Sequence, residues 1–525
     1  MRSWPTPAAS SSGPSLSGTG VVTATDGGST GREGSESSGA VDSTGDESTG
    51  RPIDDCGAGD EPDLRGLDTD GDGIDGSVPC SVFVDSSTGD DTNDGLTMDT
   101  PVATLSRGIE LAADSGSFLA VLVTAGTYEE SVSLASGVGV YGGYASGTWT
   151  RDFDPTIIQS NESPTVAASA LTLPTRLQAL TIRGPNLESG GQASIAVLAV
   201  DIDEGMLSVD ACTIEGGQGG DGEDGFDGAA GGDGSLGGDS ACGIIGGNRG
   251  TGNVCPSTPG DPSTDGGPLA SGGLGGAPGI SHCDDECNDV GTDGTEGSPG
   301  TDGPHGVGGT APDDSLGAFD VDAAWLGPLG NPATVGGHGG GGGGGGAGGH
   351  DDDLDFGCAT VGFKVAFGGP GGIGGGGGCG GEAETSGTPG GASIGLVAVR
   401  SFVIVDGSSI VLGTGGAGGH GGHGGHGGVG GNGSPGASGF NDGGDGADGG
   451  DGGVGGGAGG CGGAAIGFAR VGFSSVMDIG TDLSGGTTGA PGLGGSGGTA
   501  GDGQTTAPAG ADGCPGLVEE QAAYP

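Results

Sequence analysis

The stretch "LDTDGDGIDG", Leu67 to Gly76, sets carboxylates at alternate positions, Asp68, Asp70 and Asp72, and follows them with Gly73. Alternating side-chain oxygens ahead of a turn glycine wrap a hard cation, and Ca2+ takes six to eight such ligands. Ile74 can add a backbone carbonyl and Asp75 a further carboxylate. The candidate ligands are therefore Asp68, Asp70, Asp72 and Asp75, and the candidate cofactor is Ca2+. The bland alternative is an acidic turn in a linker. A full twelve-residue loop would close on glutamate, and Pro79 stands there.

Histidine is the second residue type with chemistry in it. His420, His423 and His426 recur every third residue inside "GGAGGHGGHGGHGGVGGNG", Gly415 to Gly433. Glycine recurs every third residue from Gly415 to Gly439 and again from Gly216 to Gly237. A period of three is that of a threefold extended helix of the polyproline II type, which makes no internal hydrogen bonds. Along such a strand, histidines three apart stand roughly 9 Å from one another at about 3.1 Å per residue. Zn–N bonds are about 2 Å, so one strand cannot chelate a metal with two of them. A site would need His338, His350 or another chain. Glycine-rich threefold strands packed side by side would satisfy their backbone groups through one another. A flexible linker is the competing reading.

Acid–base chemistry needs two positioned carboxylates. Arg176 and Arg183 lie in "LPTRLQALTIRGP", and Asp201, Asp203, Glu204 and Asp210 follow. No convergent cluster is visible, so the reading is against an enzyme, with a polysaccharide lyase or hydrolase as the alternative. "GGDGEDGFD", Gly219 to Asp227, fits a calcium nonapeptide, but chance matches are expected in a chain so rich in Gly and Asp.

Composition bounds the rest. Of 525 residues 142 are Gly and only 4% are aromatic, so the glycine-rich half cannot build a side-chain core. The 12 Lys+Arg stand against 69 Asp+Glu, a net charge of -57. That excludes the basic patches nucleic-acid binding requires and disfavours anionic membranes. Divalent cations are the natural counter-charge. No run is apolar enough for a transmembrane segment. The 11 cysteines form no C-x-x-C and point to an oxidising compartment, at least one of them left unpaired within the chain. The expected location is extracellular or cell surface, although residues 1–20 carry no signal-peptide core; upstream sequence would hold the export signal. Glycans and other surface proteins are the partners left open.

The elements that must position these residues follow from patterning. Residues 1–55 read as a disordered Ser/Thr/Gly tether, and 56–80 as a small Asp-rich calcium-loop unit that a Cys56–Cys80 disulfide would close. "SVFVD" and "FLAVLVTAGTY" read as strands, and "DTPVATLSRGIELAAD" as a helix with Thr100 at its N-cap and Leu105, Ile109 and Ala112 on one face. Three copies of one pattern begin at Ala193, Ala392 and Ala464, aligning Ile195 with Ile394 and Ile466, and Val200 with Val399 and Val471. Each copy reads as two strands and then glycine. "GAFDVDAAWLG" and "CATVGFKVAFGG" look like degenerate copies. Glycine-rich inserts of unequal length follow each copy, so they leave from one corner of a stack. The resulting domains are coils at 81–214, a Gly-rich insertion at 215–316, coils at 317–483 carrying insertions at 335–350, 368–391 and 413–463, and a Gly-rich tail at 484–525.

Two resemblances rest on these residues. Val84 and Asp85, Gly89–Asp90, Asn93–Gly95, Pro101 with Thr104, Gly126–Tyr128, the "YGGY" at Tyr141–Tyr144 and Trp149–Asp152 resemble the opening of right-handed parallel β-helix proteins of the pectin-lyase-like class, most of all an uncharacterised exported bacterial subgroup. The resemblance implies an all-β solenoid, and the fold alone implies no activity. The Asp68–Asp75 loop resembles the calcium loops of thrombospondin type 3 repeats, in a single copy. The expected role is structural or adhesive.

Overall fold

The computed structural model describes residues 60–115, 120–234, 274, 295–312, 316–320, 324–334, 373, 378–381, 385–436 and 455–525. All belong to the unit Pro52–Pro525. Residues 1–59, Cys56 among them, and the candidate copy at 358–369 lie outside the described residues.

The described residues form three parallel sheets and one α-helix. The first sheet runs Ser81–Val84, Ala120–Thr124, Val140–Tyr144, Thr175–Gln178, Leu207–Asp210, Phe402–Asp406 and Ser475–Ile479. The second runs Gly126–Glu129, Thr156–Gln159, Thr181–Arg183, Thr213–Glu215, Ser409–Thr414 and Asp482–Thr487. The third runs Val132–Ser133, Val166–Ser169, Ser194–Val200, Ser393–Val399, Ala465–Val471 and Val518–Tyr524. From Ala120 onward the chain visits the first, second and third sheets in rotation.

The three sequence copies are stacked neighbours. Ile195 pairs with Ile394 and Ile394 with Ile466; Val200 pairs with Val399 and Val399 with Val471. The second strand expected in each copy is in fact two. Ala211, Gly407 and Gly480 turn a corner with φ of 48°, 53° and 71°, dividing the first-sheet strand from the second-sheet strand. Ala179 (φ 55°) divides "LQALTIRG" in the same way. A left-handed alanine leaves no compositional signal, because alanine is ordinary in a strand. The other short corner is also left-handed, and there Arg400 grips Asp201 of the coil before through Nε (2.6 Å) and Nη2 (3.0 Å).

Inward residues stack like on like. Ile158, Ile182, Ile214, Ile410 and Leu483 form one column along the second sheet. They share a core with Val82, Leu177, Val209, Leu396 and Phe468. The strands Ser393–Val399 and Ala465–Val471 of the third sheet are buried on both faces, which is why they read as continuous apolar runs. Their outer face, with Ile394, Val399 and Ile466, is covered by Trp325 and Phe319. Those aromatics come from an antiparallel hairpin, Ala318–Phe319 with Trp325–Leu326, so "GAFDVDAAWLG" is a cover and not a further coil. The helix Leu105–Asp114 starts later than its sequence suggests, with Thr104 as its N-cap. Pro101 and Val102 are held extended because the Val102 N–H donates to Phe83 O.

Every long excursion, 216–392, 415–464 and 488–517, leaves after a second-sheet strand and re-enters at a third-sheet strand. Within them, main-chain bonds recur every third residue. The N–H groups of Gly222, Gly225, Gly228 and Gly231 donate to Ala417, His420, His423 and His426 at 2.7–2.8 Å. Gly418, Gly421, Gly424 and Gly427 donate in turn to Ala490, Leu493, Ser496 and Thr499. Gly460 donates to Gly419, Gly492 to Gly460 and Gly513 to Gly492. A Cβ on Gly419 would stand 1.9 Å from Glu223 O, and one on Gly460 2.0 Å from Thr388 O. The glycines are therefore a packing requirement. Cys461 and Cys514 add a disulfide between two of these segments. The last stretch, expected as a tail, ends in Val518–Tyr524, paired along Ala465–Val471.

Candidate metal centre and adjoining groove

The Asp-rich unit is a series of carboxylate-capped turns. Asp68 accepts the N–H of Gly71 (2.6 Å) and of Gly73 (2.9 Å), which have φ of 81° and 106°. No atom lies within 4 Å of a Cβ at either glycine, so only the backbone geometry demands them. Asp70 accepts from Asp72 N–H, and Asp72 from Ile74 and Val78 N–H.

Oxygens of Asp60, Asp68 and Asp70 lie within 4.8 Å of one another, and this is the one such group of three among the described residues. That spacing suits ligands on one Ca2+, whose Ca–O bonds run about 2.3–2.6 Å. The structure thus brings together Asp68 and Asp70, adds Asp60, and leaves Asp72 and Asp75 outside the group. Thr69 fixes Asp60 through its N–H (3.0 Å) and hydroxyl (2.5 Å). Partial burial raises the Asp60 carboxyl, but those donors and the Gly76 N–H outweigh it and hold it below the usual range. Asp72 is pushed up by burial and by the charges of Asp70 and Asp68, against two backbone donors. A cation would relieve that repulsion.

Asp75 has a different job. Its carboxylate meets Arg151 Nη1 at 3.0 Å, with side chains 1% and 0% exposed, and accepts Asp63 N–H at 3.0 Å. Arg151 also donates to Gly142 O and Asp63 O. The Tyr144 hydroxyl donates to Asp75 O at 2.6 Å. Around this pair Ile74, Phe83, Leu122, Tyr141, Tyr144 and Trp149 form a small core of their own, with Trp149 edge-on to Phe83 at 4.7 Å. The Asp-rich unit is thereby docked on the outer face of the first sheet. Cys80 is disulfide-bonded to a partner outside the described residues.

Beside the dock lies a groove of about 500 Å³, walled by Asp60, Glu61, Tyr141, Arg176 and Ser208. Arg176 reaches Glu61 through Nη1 (3.0 Å) and Asp210 through Nε (2.9 Å). Burial pushes the Asp210 carboxyl up despite Arg176. Burial and the Glu61 charge push the Tyr141 hydroxyl to about 12. The other charged residues singled out in sequence do not converge here: Arg183 pairs with Glu215 and Asp201 with Arg400.

The nonapeptide-like Asp221, Asp224 and Asp227 each accept a backbone N–H at 2.7 Å, from Ala417, His420 and His423. His338 and His350 lie outside the described residues. No described helix is long and apolar enough to cross a membrane. Asp60 could not be found from the motif, because it stands eight residues before Asp68 and reaches it only through the turn at Leu64–Arg65.

No family model and no curated protein matches the chain. Among solved structures, GH136 lacto-N-biosidase from Eubacterium ramulus is similar at 13% identity over 27% of this chain and 36% of its own, with a TM-score of 0.12. Its selenomethionine derivative gives 12% identity over 26% and 35%, at the same TM-score. The chain thus covers little more than a third of that protein, and a likeness so slight carries no argument.

Proposed function

We propose that this chain is an exported structural or adhesive protein: a right-handed parallel β-helix of the pectin-lyase-like class that carries a bundle of polyproline II-type glycine segments, with Ca2+ held by the Asp-rich unit. The three sheets visited in rotation support the helix. The single observation that carries the role is the bundle. Its segments are joined by main-chain bonds every third residue, and its glycines have no room for side chains. Such a slab is stiff and chemically plain, and its rim of Asp, His, Ser and Thr suits adhesion to hydroxyl-rich or protein surfaces. In this reading Asp60, Asp68 and Asp70 hold the cation, Asp72 shapes their turn, and Asp75 anchors the unit through Arg151.

The second reading is a polysaccharide-active enzyme, and the groove is what favours it: Arg176 between Glu61 and Asp210, with the Asp210 carboxyl raised by burial. Yet both carboxylates are engaged by one guanidinium, which leaves neither of them standing free in the groove. The two readings separate in one experiment. The chain is applied to a glycan array and a polysaccharide panel, in Ca2+ and in chelator. The structural reading expects binding without turnover; turnover abolished by Asp210→Asn would replace it. Titration calorimetry tests the cation. Asp60→Asn and Asp70→Ala are each expected to weaken Ca2+ binding at least tenfold, and unchanged binding in both would remove Ca2+ from the proposal.

A further inference from the structure

The three histidines of the 415–427 segment are not idle decoration. His420 Nδ1 accepts the Leu493 N–H at 2.9 Å, His423 Nδ1 the Ser496 N–H at 3.1 Å, and His426 Nδ1 the Thr499 N–H at 3.3 Å. The register is constant, 73 residues apart at each step. Side-chain hydroxyls reinforce two of the contacts: Ser496 Oγ lies 2.9 Å from His423 Nδ1, and Thr499 Oγ1 2.8 Å from His426 Nδ1.

The reason lies in the geometry of a threefold strand at the edge of a bundle. In the 415–427 segment two N–H groups of a triplet find carbonyls on neighbouring segments, as Gly418 does on Ala490 and Gly419 on Thr388. The third points along the surface, where no carbonyl faces it. A side chain from the adjacent segment fills that gap. Asp221, Asp224, Asp227 and Asp233 do so for the 415–427 segment and its continuation, with 2.7–2.9 Å bonds to the N–H groups of Ala417, His420, His423 and Val429. The histidines do so for the 488–500 segment. The carboxyl groups of one seam offer an acceptor oxygen in either protonation state. The imidazole of the next has an acceptor nitrogen only while neutral.

We propose that the imidazole bonds across the seam between residues 415–427 and 488–500 form an acid-released latch, one half of a seam whose other half, the main-chain bonds from Gly418, Gly421, Gly424 and Gly427 to Ala490, Leu493, Ser496 and Thr499, does not titrate. Protonation places a hydrogen on each Nδ1, which then faces an N–H donor. Three hydrogen bonds are lost together, and three like charges are created on one strand edge. The charged groups on the segments packed around this seam are acids and one further histidine. On the 216–234 segment these are Asp224 and Asp227, whose carboxylates accept the main-chain N–H of His420 and His423. The 488–500 segment itself has no ionisable side chain. On the segment beyond it, Asp512 is held by the Gly494 N–H. His305 contacts Thr505 Oγ1 near the same edge. The inner bonds, Gly492 N–H to Gly460 O and Gly495 N–H to Gly457 O, do not involve histidine and persist. The latch loosens one edge and leaves the bundle standing.

Amide hydrogen exchange on the full chain tests this, with rates corrected for intrinsic pH dependence. Between pH 8 and pH 5 the amides of Leu493, Ser496 and Thr499 are expected to lose at least tenfold of their protection, while Gly492 and Gly495 keep theirs. The triple variant His420→Asn, His423→Asn, His426→Asn offers an amide oxygen in place of Nδ1 and should hold the three amides protected at both values. Unchanged protection in the wild type overturns the latch, and so does an equal acid response in the asparagine variant. Nitrogen-15 shifts that put the proton on Nδ1 at pH 8 would overturn it as well.

Discussion

At the scale of single residues, the buried acids do the work of joining segments far apart in the chain. Asp85 is 1% exposed and receives the hydroxyls of Ser87, Thr88 and Ser146 and the N–H of Ser87. Burial raises its carboxyl, but the four donors win and bring it down to about 2, against 3.8 for the free group. The unfolded chain therefore takes up this proton first as the pH falls. The stabilisation is complete above pH 4 and fades as the pH drops toward 2, amounting to about 2 kcal/mol at roughly 1.4 kcal/mol per unit. Denaturant titrations at pH 5 and pH 2 should show the wild type losing about 2 kcal/mol more than Asp85→Asn. Equal losses would mean that Asp85 is not held ionised. The same scale shows where the motif was legible and where it was not. The alternation of Asp68, Asp70 and Asp72 announced a run of carboxylate-capped turns. It did not reveal Asp60, whose place beside them depends on chain closure, nor that Asp75 would turn inward to Arg151, which lies 76 residues on.

At the scale of elements, the repeat was the strongest signal. Ile195, Ile394 and Ile466 fell into register because a parallel strand buried on both faces tolerates little but Val, Ile, Leu and Ala. The corners were harder to see, since Ala179 and Ala211 turn them without glycine. The antiparallel pair that carries Trp325 reads as a coil in sequence, because two short apolar runs look alike in either setting. In the glycine segments the period of three already specified which positions face inward, and this gives a sharp contrast. Gly419→Ala places a methyl 1.9 Å from a main-chain carbonyl that has no room to yield. It should cost at least 1–3 kcal/mol, roughly the range for overpacked cores. Val429→Ala, at an outward position 47% exposed, should stay within about 0.5 kcal/mol. Equilibrium unfolding of both variants decides it. Comparable effects would mean that the segments are not packed by glycine contact.

At the scale of the whole molecule, the proposal of a bound cation adds a second electrostatic effect to charge repulsion, and the two can be separated. A net charge of -57 makes the folded state repel itself, and any salt relieves this by screening, since the Debye length falls from about 10 Å at 0.1 M to about 3 Å at 1 M. A cation seated on Asp60, Asp68 and Asp70 acts differently. It binds the folded state alone, so it stabilises by RT ln(1 + [L]/Kd), about 2.7 kcal/mol at a hundredfold excess over Kd. Screening rises smoothly and without ion preference; site binding saturates and prefers Ca2+ over Na+ at equal ionic strength. Thermal unfolding across NaCl and CaCl2 series matched in ionic strength should therefore give two curves. The sodium curve climbs gradually. The calcium curve steps up at low concentration and then runs parallel to it. Asp70→Ala should remove the step and leave the gradual rise, because deleting one carboxylate of 69 acids hardly changes the total charge. The docking of the Asp-rich unit makes that step global. Its Asp75–Arg151 pair and the core around Trp149 tie the loop to the first sheet, so a cation that tightens the loop resists the opening of the strands beneath it. If the two salt series coincide, the acidic surface is only a solvated coat, and the loop is a turn without a metal.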